Sequence, residues 1–269
     1  MSWKRRILRL ISITLLTPVV FLFSCQSRLI YYPTDYVTTE LDFARRSGVR
    51  AIPYTSNGQS QTAWLLPAQK TPQRLWVCFS GNAARALDWL PTVEDWNEEA
   101  AFLMVDLPGY GSNSGSPNPR SIRQAAMDAV DACRAQDGLA RVPLGCLGHS
   151  LGAACALMTA TERKADRVVL ISPFTSMAEM ADQTYFKPVS LLLRHRFDNR
   201  TELRRLLQQD LAAQVTLIHG EQDSIIPVSM SRDLQTLDPT RIQLHVIPEA
   251  DHNDAIDLAT AQIEAALAP

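Results

Sequence analysis

The sequence has no CxxC pair and no histidine at metal-ligand spacing, so its cysteines, Cys25, Cys78, Cys133, Cys146 and Cys155, offer no metal site. It has no basic stripe either. Lys and Arg are scattered and the formal net charge is -2, which removes the electrostatic case for a nucleic-acid partner. Repeats and low-complexity tracts are missing, and 46% hydrophobic with 20% charged residues is the balance of a globular chain that buries a large core. At 269 residues the chain is long for one domain, yet α/β proteins of this size commonly form a single domain on one large sheet. Cys78 and Cys146 fall in apolar strand-like runs and Cys155 on a helix; with Cys133 they are expected as buried, reduced thiols.

The one long apolar run also falls short. Leu10 to Phe23 spans about 14 residues, against the roughly 20 that a helix needs to cross the hydrocarbon core. Lys4, Arg5, Arg6 and Arg9 precede it, as in the n- and h-regions of an export signal. Leu22-Phe23-Ser24-Cys25 resembles a bacterial lipobox, which implies that Cys25 is lipidated and becomes the mature N-terminus. The alternative is an uncleaved anchor reaching back past Arg9. Both readings divide the chain into 1–24, signal peptide or membrane anchor, and 25–269, the folded domain. Both place the protein in the cell envelope, on the membrane through its N-terminus, and both predict a soluble domain once about the first 30 residues are removed.

Past this segment, Val49 to Tyr54 and Thr62 to Leu66 read as a hairpin around Ser56-Asn57-Gly58, with Gly58 free to take positive φ. From Leu75 onward short apolar runs alternate with helical patterns: Leu75 to Phe79, Phe102 to Val105, Leu144 to Leu147, Val168 to Ile171, Val215 to Ile218 and Leu244 to Ile247. That alternation predicts an α/β fold, a mostly parallel central sheet with helices on both faces. Ile122, Ala126, Ala129, Val130 and Cys133 mark one helix, with Gly138 as its stop; Ile256, Ala259, Ile263 and Leu267 mark the last, with Asp254 near its start. The polar excursion at about 175–211 breaks the rhythm and reads as a small cap, with Tyr185, Phe186 and Val189 to Leu193 as its apolar content.

Gly148-His149-Ser150-Leu151-Gly152 lies after a strand and before the small-residue run Ala153-Ala154-Cys155-Ala156, the context that a nucleophile elbow requires. A serine on such a turn sits at a helix N-terminus, and the residues two before and two after it must be small for strand and helix to approach. An unassisted hydroxyl is a weak nucleophile, so a base and an orienting acid are needed. Asp223 follows the strand Val215 to Ile218 and His252 follows Leu244 to Ile247, each on a loop at a strand's carboxyl end, where sites in open α/β sheets form. Asp251 and Asp254 compete with Asp223 for the acid role, but a neighbour in sequence on a tight loop seldom faces its own adjacent ring, which favours Asp223. His149, His195, His219 and His245 are expected to be structural. The loop Phe79-Ser80-Gly81-Asn82-Ala83 nominates the Asn82 amide as an oxyanion donor beside that of Leu151. No cofactor is needed for this chemistry.

With these segments the chain resembles the α/β-hydrolase superfamily, in its branch of esterases, thioesterases and serine-aminopeptidase-like proteins, from about Leu29 to the C-terminus. The marks are Ser80-Gly81-Asn82-Ala83, Asp106-Leu107-Pro108-Gly109-Tyr110-Gly111, Gly148-His149-Ser150-Leu151-Gly152, Ser172-Pro173-Phe174 and the Asp223 and His252 loops. The resemblance implies Ser150 as nucleophile, Asp223 as acid, His252 as base, and an oxyanion hole at Asn82 and Leu151. It implies a small-molecule, ester-like substrate, with thioester or peptide hydrolysis by the same residues as alternatives and a non-enzymatic envelope module as a further one. Two departures stand out. Ser80 replaces a common histidine, and Leu107-Pro108 replaces a Tyr-Arg pair, which is expected to change the wall of the site; Tyr110 is expected to support its loop.

Overall fold

The computed structural model describes residues 3, 14, 17, 20, 21, 23–96, 98–136, 138–184, 189–209 and 213–268. Strands β1 (Arg50–Ser56) and β2 (Gln59–Leu66) pair antiparallel through Asn57-Gly58. Both turn residues take positive φ, 49° and 73°, so Asn57 shares the role expected of Gly58. This is the mirror-image turn that follows the twist of a hairpin.

The rest of the eight-stranded sheet is β3 (Arg74–Phe79), β4 (Ala100–Val105), β5 (Leu144–His149), β6 (Arg167–Ile171), β7 (Gln214–Gly220) and β8 (Ile242–Ile247). Their order is β1-β2-β4-β3-β5-β6-β7-β8; β2 runs antiparallel to β4 and all pairs beyond are parallel. Alternate residues of a strand face opposite ways, so β3 feeds two cores. Leu75, Val77 and Phe79 pack with helices α4 (Pro119–Arg134), α5 (Leu151–Arg163), α7 (Asn199–Leu207) and α8 (Ser229–Gln235). Trp76 and Cys78 pack on the other face with α2 (Thr38–Arg46), α3 (Leu90–Val93), α9 (Ala255–Leu258) and α10 (Thr260–Leu267).

The helices follow the sequence pattern with local differences. Asn118 caps α4 by accepting from the amides of Arg120 and Ser121, and Pro119 opens it where no amide donor is needed. The helix ends at Arg134, before the expected stop at Gly138. The last helix divides at Ala259, where the Thr260 hydroxyl bonds the Asp257 carbonyl and competes with the helical ladder. Its buried row is accordingly Ala255, Ala259, Ile263 and Leu267, with Ile256 only half-buried.

The excursion between β6 and β7 is α6 (Met177–Thr184), a 3-10 turn at Val189–Leu192, and α7. The last of these belongs to the body. Leu203 and Leu206, one turn apart, are fully buried against α5, and Gln209 donates to the Thr161 carbonyl at 2.8 Å. The segment that stands apart from the sheet layers therefore ends before Phe197, itself buried in the core. Tyr185 and Phe186 lie outside the described residues.

The N-terminal edge is earlier than a cut at residue 30 assumes. Helix α1 (Gln26–Ile30) has Gln26 buried, and Tyr31 follows at 2% exposure. The Gln26 amide donates to the Leu192 carbonyl and accepts from the Arg194 amide, and the Tyr31 hydroxyl meets His195 Nδ1 at 3.2 Å. Removing these residues cuts through packed contacts rather than a linker. Among the described residues, no helix is long and apolar enough to cross a membrane.

Candidate active site

The carboxyl ends of β5, β7 and β8 bring Ser150, Asp223 and His252 together. Ser150 stands between β5 and α5 with φ 54° and ψ -117°, a strained conformation held from both sides. Its amide bonds the Ile171 carbonyl at 2.9 Å, and its carbonyl accepts from Ala153 at 3.0 Å. The flanking glycines are steric necessities. A Cβ on Gly148 would lie 2.2 Å from the Gly152 carbonyl oxygen, and one on Gly152 would lie 2.2 Å from that of Phe79. The elbow exists because strand, helix and the β3 loop touch backbone to backbone there.

Ser150 Oγ is 3.0 Å from His252 Nε2, and His252 Nδ1 is 2.8 Å from Asp223 Oδ2. Because the carboxylate accepts, Nδ1 carries the proton and Nε2 is left bare toward the hydroxyl. Burial of Asp223 opposes ionisation, but the His219 and His252 rings and the Ile226 amide outweigh it, holding the carboxyl well below the usual range. Asp223 Oδ1 accepts from the amides of Ile225 and Ile226 at 3.0 and 2.7 Å. It is therefore an ionised acceptor with fixed orientation.

The competing acids have other tasks. Asp251 accepts from the Ser224 amide at 3.0 Å and from the His252 amide at 2.7 Å, so it ties the Asp223 loop to the His252 loop and leaves the imidazole to Asp223. Asp254, one residue before α9, accepts from the Asp251 amide at 2.7 Å. His219 is wholly buried; its Nε2 donates to the Ile226 carbonyl at 2.8 Å, its Nδ1 accepts from Ser231 at 2.7 Å, and Nε2 is 3.3 Å from Asp223. His149 Nε2 donates to the His252 carbonyl at 3.0 Å, and burial, helped by the adjacent His252 ring, pushes its imidazole down to about 4. It stays neutral and positions His252 by its backbone. His195 sits among Ser27 and Tyr31, and His245 lies within β8.

The other wall of the site is the β3 loop. A Cβ on Gly81 would lie 3.5 Å from Ser150 Cβ, so this loop rests against the serine. Among the described residues neither the Asn82 nor the Leu151 amide has a protein acceptor, and Leu151 opens the N-terminus of α5, where backbone amides point outward. Ser80, in place of the expected histidine, bonds the Arg85 carbonyl at 2.7 Å and closes the loop locally. Leu107 is buried in the core and Pro108 lines a cavity of about 170 Å³ with Gln59 and Ser114, so this departure is absorbed away from Ser150 rather than in the wall of the site.

Sequence reasoning missed the Asn82 side chain. It donates to the Ile30 carbonyl at 2.6 Å and accepts from the Tyr32 amide at 3.1 Å and the Tyr110 hydroxyl at 2.7 Å. These partners lie far off in sequence, and no local motif announces them. Tyr110, 1% exposed, thus supports the loop as expected, and burial pushes its phenol up to about 12. No group of His, Cys, Asp and Glu among the described residues forms a metal site, and the four internal cysteines are buried and unpaired.

Three comparisons bear on this arrangement. The family model described as Alpha/beta hydrolase family matches residues 76–215. An uncharacterized protein of Mycobacterium tuberculosis (strain ATCC 25618 / H37Rv) is 30% identical over 261 residues, covering 94% of this chain and 91% of its own. Among solved structures, the Pyrococcus furiosus esterase Pf2001 superposes with a TM-score of 0.69 at 14% identity, over 87% of this chain and 94% of that one. The esterase domain of a Rhodothermus marinus protein does so with a TM-score of 0.60 at 18% identity, over 81% and 96%.

Proposed function

The chain belongs to the alpha/beta hydrolase family and has its fold, and from that premise we propose that it is a serine hydrolase of carboxylic esters with small acyl groups. The observation that carries the reading is the hydrogen-bonded row Ser150, His252, Asp223, with links of 3.0 and 2.8 Å, at the carboxyl ends of the parallel strands. His252 Nε2 takes the Ser150 proton as Oγ attacks the substrate carbonyl. The displaced electron pair moves to the carbonyl oxygen, where the Asn82 and Leu151 amides stabilise it. Collapse expels the alcohol, which leaves with the proton from His252. Water, deprotonated by the same nitrogen, then releases the acid and restores Ser150. The esterase neighbours support the ester over a thioester or an aminoacyl amide, since the triad does not by itself choose the leaving group. A panel of these three substrate types tests that choice.

Acyl size follows from how little roofs the site. A tunnel for a long chain has to bury about 0.8 kcal/mol worth of surface per methylene. The stretch between α6 and Phe197 is short, and Leu191 on its 3-10 turn is 73% exposed, facing out instead of lining a channel. On p-nitrophenyl esters kcat/KM is expected to peak at acetate or butyrate and fall with chain length. A higher value for palmitate, measured below its aggregation limit, overturns the small-acyl reading.

Membrane attachment through the N-terminus, in the cell envelope, completes the proposal. Cys25 immediately precedes α1 and is only partly buried, which suits a lipidated terminus. Intact mass of the membrane-extracted protein is expected to show loss of residues 1 to 24 and gain of acyl chains; full mass without acyl chains assigns the attachment to an uncleaved anchor.

A further inference from the structure

Two segments that meet beside the mouth of the site carry no acidic residue, although Asp and Glu outnumber Lys and Arg in the whole chain, 28 to 26. The first is everything before Asp35, and the second lies between Asp182 and Asp198. They touch at several points. Gln26 bonds Leu192 and Arg194, and His195 lies edge-on to Tyr31 at 5.4 Å between ring centres. Around this junction Leu29, Tyr32 and Leu191 are exposed apolar side chains, and Arg28, Arg194 and Arg196 are exposed cations.

We propose that this face, made by α1 and the 3-10 turn at Val189–Leu192, docks on the surface of an anionic lipid bilayer. The inference rests on the membrane attachment proposed above and adds a second contact to it. Exposed apolar side chains among cations, with no acid in either segment, is the composition that partitions into a headgroup layer, and continuity with the membrane attachment immediately before α1 brings the face to that layer. Other soluble partners are disfavoured by the same continuity, since a tethered α1 leaves them no approach. The functional consequence follows from Asn82, whose side chain holds the Ile30 carbonyl and the Tyr32 amide. The loop with the oxyanion amide is one hydrogen bond away from the docked helix, so the mouth of the site opens at the lipid surface.

The test uses the full chain in vesicles carrying a lipid-borne quencher, with an environment-sensitive fluorophore on Leu191→Cys, the unsubstituted chain giving the Cys25 background. A second label on Lys70→Cys, at the opposite end of the sheet before β3, is the control. With phosphatidylglycerol present the Leu191 label is expected to be quenched and the Lys70 label not. Arg28→Gln and Arg194→Gln are each expected to lower the ratio of docked to undocked protein about fivefold, the contribution of one basic residue at an anionic surface. Chain that floats with the vesicles while its Leu191 label stays unquenched overturns docking and leaves attachment standing. Failure to float overturns both. Equal quenching in pure phosphatidylcholine overturns the requirement for anionic lipid.

Discussion

Ser150→Ala is expected to lower ester turnover by about a million-fold, to the residual rate that oxyanion donors and binding alone sustain, and to abolish labelling by a fluorophosphonate. The fold should survive. Among the described residues the Ser150 hydroxyl has one partner, His252 Nε2, while the contacts that hold the elbow are backbone bonds to Ile171 and Ala153 that alanine keeps. Alanine also takes over the positive φ without added bulk. The measurement is single-turnover hydrolysis beside a thermal melt, with peptide mapping of the label in the parent protein. A variant that melts like the parent but still labels, at another serine, removes Ser150 from the nucleophile role.

Asp223→Asn comes next in size, about ten-thousand-fold in kcat. The carboxylate accepts from His252 Nδ1 and from the amides of Ile225 and Ile226, and the His219 ring lies 3.3 Å away. An amide has only one acceptor atom to share among these donors. If that oxygen keeps the backbone amides, its NH2 faces His252 and selects the tautomer with the proton on Nε2, which cannot accept from Ser150. Loss confined to kcat, with KM and folding near those of the parent, is the signature. Near-normal turnover would transfer the orienting role to Asp251 or Asp254, the two carboxylates that compete for it in the sequence.

The contrast between Asp223 and Asp251 shows where the sequence was legible. Strand positions, the elbow and the order of Ser150, Asp223 and His252 follow from local patterns: apolar runs with period two, glycines at fixed offsets, and polar residues at the carboxyl ends of strands. Period and spacing survive folding because they are set by backbone geometry. The preference for Asp223 was legible too, since a neighbour on a tight loop seldom faces its own adjacent ring; what Asp251 binds instead was not. Asp251 is adjacent to His252 in sequence, yet its carboxylate turns to backbone amides and to Ser224. The role of α1 was hidden for a related reason. The polar side chain of Gln26 is buried because the Leu192 carbonyl and Arg194 amide satisfy it, a pairing that spans most of the chain. The excursion between β6 and β7 reads as one unit because charged residues recur from Arg194 to Arg205 across the start of α7, whereas the pair Leu203 and Leu206 sends α7 back onto α5.

The bond network between the Asp223 and His252 loops bears on how such an enzyme can be re-engineered. Besides the Asp251 contacts, Glu221 donates to the Ile247 carbonyl at 2.9 Å and Gln222 to that of Ala250 at 3.0 Å. A Cβ on Gly220 would come within 2.3 Å of the Ala250 carbonyl oxygen, so the two turns have no slack between them. Asp223 and His252 are thus carried on one double-stranded splice rather than on two independent loops. A designer who transplants either loop alone from a relative breaks the splice at every rung. The exchangeable cassette is the pair, from the end of β7 through Ile226 together with Ile247 through Asp254, and libraries that diversify one side need to hold the other constant.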